Sequence, residues 1–103
     1  MKLSVLERVV CLSLLPQQGS FATLKVLHDL RMILSFSEKE MKEWGIKENP
    51  ETKITTWERD ETKELPIGEK ATDIIIEALR EHDRKNSLPV QAMSLYEKFI
   101  PTT

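Results

Sequence analysis

Residues 36–46 (FSEKEMKEWGI) carry the signals for both ends of one short helix, and this limits how the rest of the chain can be arranged. Ser37 is suited to cap the start, and Glu40 can return a hydrogen bond to the backbone of the cap residue, which makes a capping box. Gly45 can take the left-handed conformation that ends a helix, so that Ile46 folds back on the last turn. The segment therefore predicts a helix that begins after Ser37 and ends before Gly45.

Two longer helices are predicted before this segment. Ser4 and Glu7 can form a second capping box, which opens a helix that ends before Pro16. That helix is apolar on more than one side, so we expect it at the centre of the core or beneath a partner. Ser20 then caps a second helix, whose apolar residues recur at steps of three and four: Phe21, Leu24, Leu27, Leu30, Ile33 and Leu34.

The last third of the chain predicts two more helices. The fourth helix ends at Asn86. Its apolar stripe comprises Ala71, Ile74, Ile75, Ala78, Leu79 and His82. The fifth helix begins at Ser87 or Leu88, has Pro89 in its first turn and stops at Pro101. Its buried face comprises Ala92, Leu95, Tyr96 and Phe99.

A β-ribbon is predicted between the third and fourth helices. Residues 54–57 (ITTW) are of types favoured in strands, and residues 64–67 (ELPI) can return as the second strand after a polar turn. Pro66 cannot donate to a ladder, so this strand should lie at an edge. The fold class is therefore α+β and mostly helical, with about five helices and one two-stranded antiparallel ribbon. Residues 1–103 suit a single small globular domain.

Composition and cysteine content indicate a soluble cytoplasmic protein. The chain is 40% hydrophobic and 31% charged, which is typical of a folded domain. Cys11 is the only cysteine, so no intrachain disulfide can form and a reducing compartment is the simplest interpretation. The apolar run at residues 9–15 is too short to span a bilayer, and no small-x-small cleavage pattern follows it. We therefore expect no membrane association.

No residue pattern in the chain predicts catalysis, a cofactor or a metal. His28 and His82 have no Cys or His at metal-ligand spacing, and we expect both to be structural. Cys11 lies in an aliphatic helix, where thiols are usually inert. The glycines occur singly, so the chain has no phosphate-binding loop. We expect a protein that is not an enzyme and has no small-molecule substrate.

Three helices followed by a hairpin resemble the winged helix-turn-helix family in the order of their elements. The resemblance would make residues 37–44 the recognition helix and residues 54–67 the wing. Residues 36–68, however, hold nine acidic and six basic side chains. Contacts with phosphates need clustered Lys and Arg. A nucleic-acid-binding regulator is therefore the alternative function, and we do not expect specific binding to duplex DNA.

The preferred function is association with another protein or self-assembly into a homo-oligomer. Trp57 and Ile54 point to opposite faces of a strand, so one of them needs cover from beyond a single helical layer. The predicted interface comprises Trp57, Ile54, Leu65, Ile67 and Trp44. Compact Glu/Lys-rich domains of this type are common among accessory proteins, including those of phages and mobile elements.

Overall fold

A computed structural model describes residues 1–52 and 54–100 of the chain. In order, these residues form β1 (Lys2–Ser4), α1 (Val5–Leu14), α2 (Phe21–Leu34), α3 (Glu38–Trp44), β2 (Lys47–Glu48), β3 (Thr55–Thr56), β4 (Thr62–Glu64), α4 (Glu69–Arg84), a 3₁₀ helix (Val90–Ala92) and α5 (Met93–Phe99). The fold is α+β and mostly helical, as the sequence predicts, with an antiparallel ribbon between α3 and α4.

The core lies between α1, α2, α4 and α5. Its buried side chains include Val10, Cys11, Leu14, Leu27, Leu30, Leu34, Ile75, Leu79, Leu95 and Phe99. Helix α1 packs against α2, α4 and α5 and against β1. The central position predicted for this helix is therefore confirmed, and its apolar residues on several sides are explained by its several neighbours.

The polar signals at the helix ends act as the sequence predicts. Ser4, Ser20 and Ser37 each accept a hydrogen bond from the backbone N–H three residues further on. Gly45 ends α3 with φ of 64°, and the Ile46 N–H donates to a carbonyl in the last turn of that helix at 3.0 Å. These contacts satisfy backbone groups that a helix end leaves without partners. They explain why α3 forms although it has only seven residues.

The predicted pairing of residues 54–57 with residues 64–67 is wrong. Strand β3 instead pairs with the preceding strand, β2, and Lys47 lies opposite Thr56. Strand β4 pairs with β1 at the start of the chain, and Leu3 lies opposite Lys63. The segment between β3 and β4 does not reverse as a hairpin turn because it is held at two distant points. The N–H groups of residues 58 and 59 donate to the Trp44 carbonyl, both at 3.0 Å. The next residue, Asp60, reaches the N-terminus of α1.

Asp60 makes that second attachment. Its Oδ1 accepts a hydrogen bond from the Val5 N–H at 2.8 Å and lies 3.4 Å from the Leu6 N–H. The carboxylate therefore satisfies N–H groups at the start of α1, while Ser4 caps the next one. An acid predicted to lie in a turn between two strands of one hairpin is in fact a capping residue for a distant helix.

The last helix begins later than the sequence predicts. Ser87 lies in the turn that follows α4, where its N–H donates to the His82 carbonyl at 2.8 Å. Asn86 ends that helix with φ of 54°, as predicted. Pro89 then precedes the 3₁₀ helix, and α5 starts at Met93. The predicted stop at Pro101 lies outside the described residues.

A buried ion pair holds α3 against α1. Arg8 is 1% exposed, and its Nη1 donates to Glu40 Oε2 at 2.8 Å. Its remaining nitrogens donate to the carbonyls of Leu34 and Ser35 at 3.1 and 2.5 Å. The guanidinium also lies 4.2 Å from the centroid of the Phe36 ring. One side chain of α1 thus fixes both the α2–α3 connection and the first turn of α3.

Candidate interaction surfaces

The residues predicted to form an interface differ widely in their exposure. Leu65 is 3% exposed and belongs to the core, and Ile67 is partly buried against that core. Trp44 and Trp57 are half-buried, on α3 and directly after β3. Ile54 is 59% exposed beside the β2–β3 ribbon. Leu65 therefore does not line a surface, and Ile54 is the member of this group that is open to solvent.

The outer face of α2 exposes more apolar surface than the ribbon does. Phe21 is 83% exposed, Leu24 40% and Met32 66%. Leu27, Leu30 and Leu34 on the opposite side of the same helix are buried. We call Phe21, Leu24, His28 and Met32 the outer stripe of α2. Its residues follow each other at steps of three and four, so they form one continuous strip along the helix.

Phe21 and Leu24 belong to the apolar residues that recur at steps of three and four, but they do not lie on the buried face of this helix. At about 100° per residue, Phe21 lies about 180° from Leu30 and about 20° from Met32. Steps of three and four therefore connect apolar residues that lie on opposite sides of α2. A check of angular positions would have separated the two faces. His28, expected to be structural, instead lies on the outer stripe with 76% of its side chain exposed.

Charged residues flank the outer stripe on both sides. Lys25 and Asp29 are exposed and lie one turn apart on α2. Nδ1 of His28 lies 3.5 Å from Oδ1 of Asp29. Arg31 lies on the other flank, where its Nη2 donates to the Pro16 carbonyl at 2.9 Å. The stripe is thus bordered by one cation and one anion that face solvent.

A groove of about 670 Å³ separates the α1–α2 connection from α4. Its apolar lining includes Leu14, Leu15, Pro16, Ile74 and Ala78. Asp73 and Glu77 add carboxylates one turn apart on α4, and Arg84 adds a cation near the end of the same helix. The groove continues along α2 towards Lys25 and Asp29. It is concave and mainly apolar, which is the usual form of a binding cleft.

The ionisable side chains that are buried serve the fold. Burial raises the pKa of the Cys11 thiol to about 12, so it stays protonated and unreactive at neutral pH. Burial also raises the pKa of Glu40, but hydrogen bonds from Arg8 and the Ser37 N–H, with the charge of Lys63, lower it to about 2 overall. Glu40 is therefore an anion with fixed partners, which does not suit a general acid or base.

Two further properties bear on function. Among residues 1–52 and 54–100, no three His, Cys, Asp or Glu side chains are grouped so that they could hold a metal ion. Every helix in the same part of the chain is too short or too polar to cross a lipid bilayer. Comparisons with protein-family models, curated proteins and solved structures give no match for this chain. Its function must therefore be inferred from its own surfaces.

Proposed function

We propose that this chain is a non-enzymatic protein-interaction domain that associates through the outer stripe of α2. The observation that carries the proposal is the exposure of Phe21, at 83%, in the first turn of a helix whose other face is core. Fully burying one such side chain is worth about 1.5–3 kcal/mol, so a strip with Phe21 and Met32 has a substantial driving force for association. Aromatic and methionine side chains are also enriched at protein interfaces.

The stability of the fold does not explain why these residues are apolar. Phe21 and Met32 point away from the core, so polar residues would serve equally well at both positions in an isolated domain. Single exposed apolar side chains are common, but several in one strip along a helix are typical of a contact surface. Two of the buried ionisable groups serve the fold, since Cys11 lies in the core and Glu40 pairs with Arg8.

The proposal can be tested with substitutions that add a charge to the strip. The purified wild-type chain is immobilised and offered either soluble wild-type chain or a cell lysate. Phe21→Lys and Met32→Lys should each reduce the protein retained by about tenfold or more, because a charge would be buried in the contact. Both residues are exposed, so the unfolding midpoint in urea should change little.

Ile54→Lys is the matched control. Ile54 is 59% exposed, so this variant adds the same charge to the ribbon without disturbing the core. It should retain as much protein as the wild type. If Ile54→Lys abolishes retention while Phe21→Lys preserves it, the ribbon is the contact surface and the proposal fails.

A nucleic-acid-binding regulator is the second candidate. One observation favours it: α2 and α3 are joined by only three residues and are followed by the β2–β3 ribbon, which is the order of a winged helix-turn-helix. The charges oppose it, because the exposed side chains of α3 are two acids and two bases, Glu38, Lys39, Lys42 and Glu43. Such a surface lacks the excess of cations that phosphate contacts require.

A mobility-shift titration with genomic DNA fragments decides between the candidates. We expect no shift at submicromolar protein at low salt. A shift that weakens as salt is raised, and that Lys39→Glu with Lys42→Glu abolishes, would make nucleic-acid binding the preferred function.

A further inference from the structure

We infer that the partner of the outer stripe of α2 is the same helix of a second copy, packed antiparallel across a two-fold axis. The inference rests on the function proposed above and specifies its partner. It follows from the order of side chains along α2. When a second copy of the helix runs in the opposite direction, each side chain of the strip faces one that it can bind. An isologous contact requires this property, because each residue must suit the residue that the symmetry places opposite it.

The apolar residues fix where the axis must lie. In an antiparallel pair, Phe21 of one copy meets Met32 of the other when the axis passes midway between positions 21 and 32, at 26.5. Both contacts then join a phenyl ring to a thioether, which is a favourable pairing. The two contacts lie at opposite ends of the interface, about 16 Å apart along the helix.

The charged residues require nearly the same axis. Lys25 of one copy faces Asp29 of the other when the axis passes midway between positions 25 and 29, at 27. The two midpoints differ by half a residue, which is about 0.8 Å along a helix. One axis therefore forms both apolar contacts and both ion pairs. The ion pairs can face each other because, in an antiparallel pair, the same flank of each helix lies against its counterpart.

A parallel pair would lack this complementarity. In a parallel two-fold pair, the flank that carries Lys25 and Asp29 lies against the opposite flank of the partner, so Lys25 of one copy does not face Asp29 of the other. The antiparallel arrangement is thus the one that forms these ion pairs, and the apolar residues supply the attraction.

The dimer should be weak and reversible. Helix α2 has 14 residues and is about 21 Å long, so a contact limited to it is smaller than the roughly 1,200 Å² of a typical stable interface. We expect the solution mass, measured by sedimentation equilibrium, to rise from 11.9 kDa towards twice that value as the concentration increases from micromolar to millimolar.

Charge reversal tests the antiparallel register. Lys25→Asp and Asp29→Lys should each weaken the dimer by about fivefold or more, because each change creates two like-charge contacts. The double variant Lys25→Asp/Asp29→Lys restores both ion pairs with their directions exchanged, so it should dimerise like the wild type. Lys25 and Asp29 share a groove with Lys70 and Asp73 of α4, so a reversed charge could also disturb the packing of α2 on α4. Thermal unfolding of each variant measures whether its stability has changed.

Disulfide trapping gives a second test that does not depend on charge. A mixture of Phe21→Cys and Met32→Cys chains, oxidised with copper phenanthroline, should form a mixed dimer, while Phe21→Cys alone should not cross-link. The native Cys11 is buried and will not interfere. Rapid cross-linking of Phe21→Cys with itself, without the mixed product, would indicate a parallel pair and overturn the inference.

The remaining outcomes separate the inference from the proposed function. A dimer that Phe21→Lys abolishes but charge reversal leaves unchanged would refute the antiparallel register, while α2 would remain the contact surface. A monomer at every concentration that still retains a lysate protein through α2 would refute the second copy as partner. A monomer that retains nothing would refute both.

Discussion

Arg8 shows how much one side chain can determine about this fold. It is the largest side chain that is fully buried, and its charge is balanced by Glu40, which lies 32 residues away. Neither residue identifies its partner in the sequence: Arg8 stands beside Glu7 in an otherwise apolar helix, and Glu40 is one of several charged residues on α3. Buried charges are tolerated only when paired, so the loss of either partner should be costly.

Glu40→Gln should therefore lower the free energy of unfolding by about 3 kcal/mol at neutral pH. Glutamine at this position can still complete the capping box, so the substitution removes the charge while keeping the helix start. The measurement is a urea unfolding curve. Glu43→Gln, on an exposed face of the same helix, is the matched control and should change stability by no more than about 0.5 kcal/mol. Equal effects of the two substitutions would contradict the role given to the ion pair.

At the scale of elements, the helices depend on signals that lie within a few residues of each other. Ser37 and Glu40 exchange hydrogen bonds at 3.1 and 2.9 Å at the start of α3, and Gly45 ends the same helix. A seven-residue helix is too short to be stable by itself, so these end contacts and the Arg8 ion pair must both contribute.

Ser37→Ala should destabilise the protein by about 1 kcal/mol, which is the usual value of a good N-cap. Ser37→Asp keeps an acceptor at the same position and should remain close to the wild type. The midpoints of urea unfolding at neutral pH compare the three proteins. A Ser37→Ala midpoint equal to that of the wild type would show that the hydroxyl contributes nothing to the start of α3.

The sequence predictions succeed where the interacting residues are close together in the chain and fail where they are far apart. Caps at Ser4, Ser20 and Ser37 were predictable because donor and acceptor are three residues apart. The strand partners were not, because β4 pairs with a strand some 60 residues earlier and Asp60 caps a helix 55 residues away. The composition of residues 54–57 indicated a strand but contained no information about its partner.

The candidate surface was predictable in part. The sequence contains the angular positions that place Phe21 opposite Leu30, so the outer stripe could have been recognised. Steps of three and four alone do not separate the two faces, because they group residues without following the angle around the helix. The burial of Leu65 was not predictable for a different reason: its exposure depends on which strand its segment pairs with, and that pairing is set by distant residues.

At the scale of the whole molecule, α1 connects distant parts of the chain through charged groups. Arg8 reaches α3, and Asp60 caps the first turn of α1. Glu7 accepts hydrogen bonds from the Ser4 N–H at 2.9 Å and from Lys98 of α5 at 2.7 Å. The chain is nearly neutral at pH 7, with a formal charge of −2, so these local pairs matter more than net repulsion. Protonation of the carboxylates should loosen α3 and α5 from α1 together.

The pH dependence of stability should therefore be concentrated at acid pH. Burial raises the pKa of Glu7, but the hydrogen bonds from Lys98 and the Ser4 N–H, with the charge of Lys98, lower it by more than burial raises it. The pKa of Glu7 therefore lies below its ordinary value. The pKa of Glu40 is lowered to about 2 from an ordinary value of 4.5. A carboxylate with a depressed pKa stabilises the fold above its unfolded value, and this contribution disappears as the pH falls through the folded value.

We expect the free energy of unfolding to be nearly constant above pH 4.5 and to fall steadily as the pH is lowered from there towards 2. Glu40 should account for on the order of 3 kcal/mol of this decrease, because each unit of pKa shift corresponds to about 1.4 kcal/mol. Urea unfolding of the wild type, Glu40→Gln and Glu43→Gln between these pH values measures it. The Glu40→Gln curve should be clearly flatter than the other two, since its side chain cannot take up a proton. Three parallel curves would place the acid sensitivity outside the Arg8–Glu40 pair.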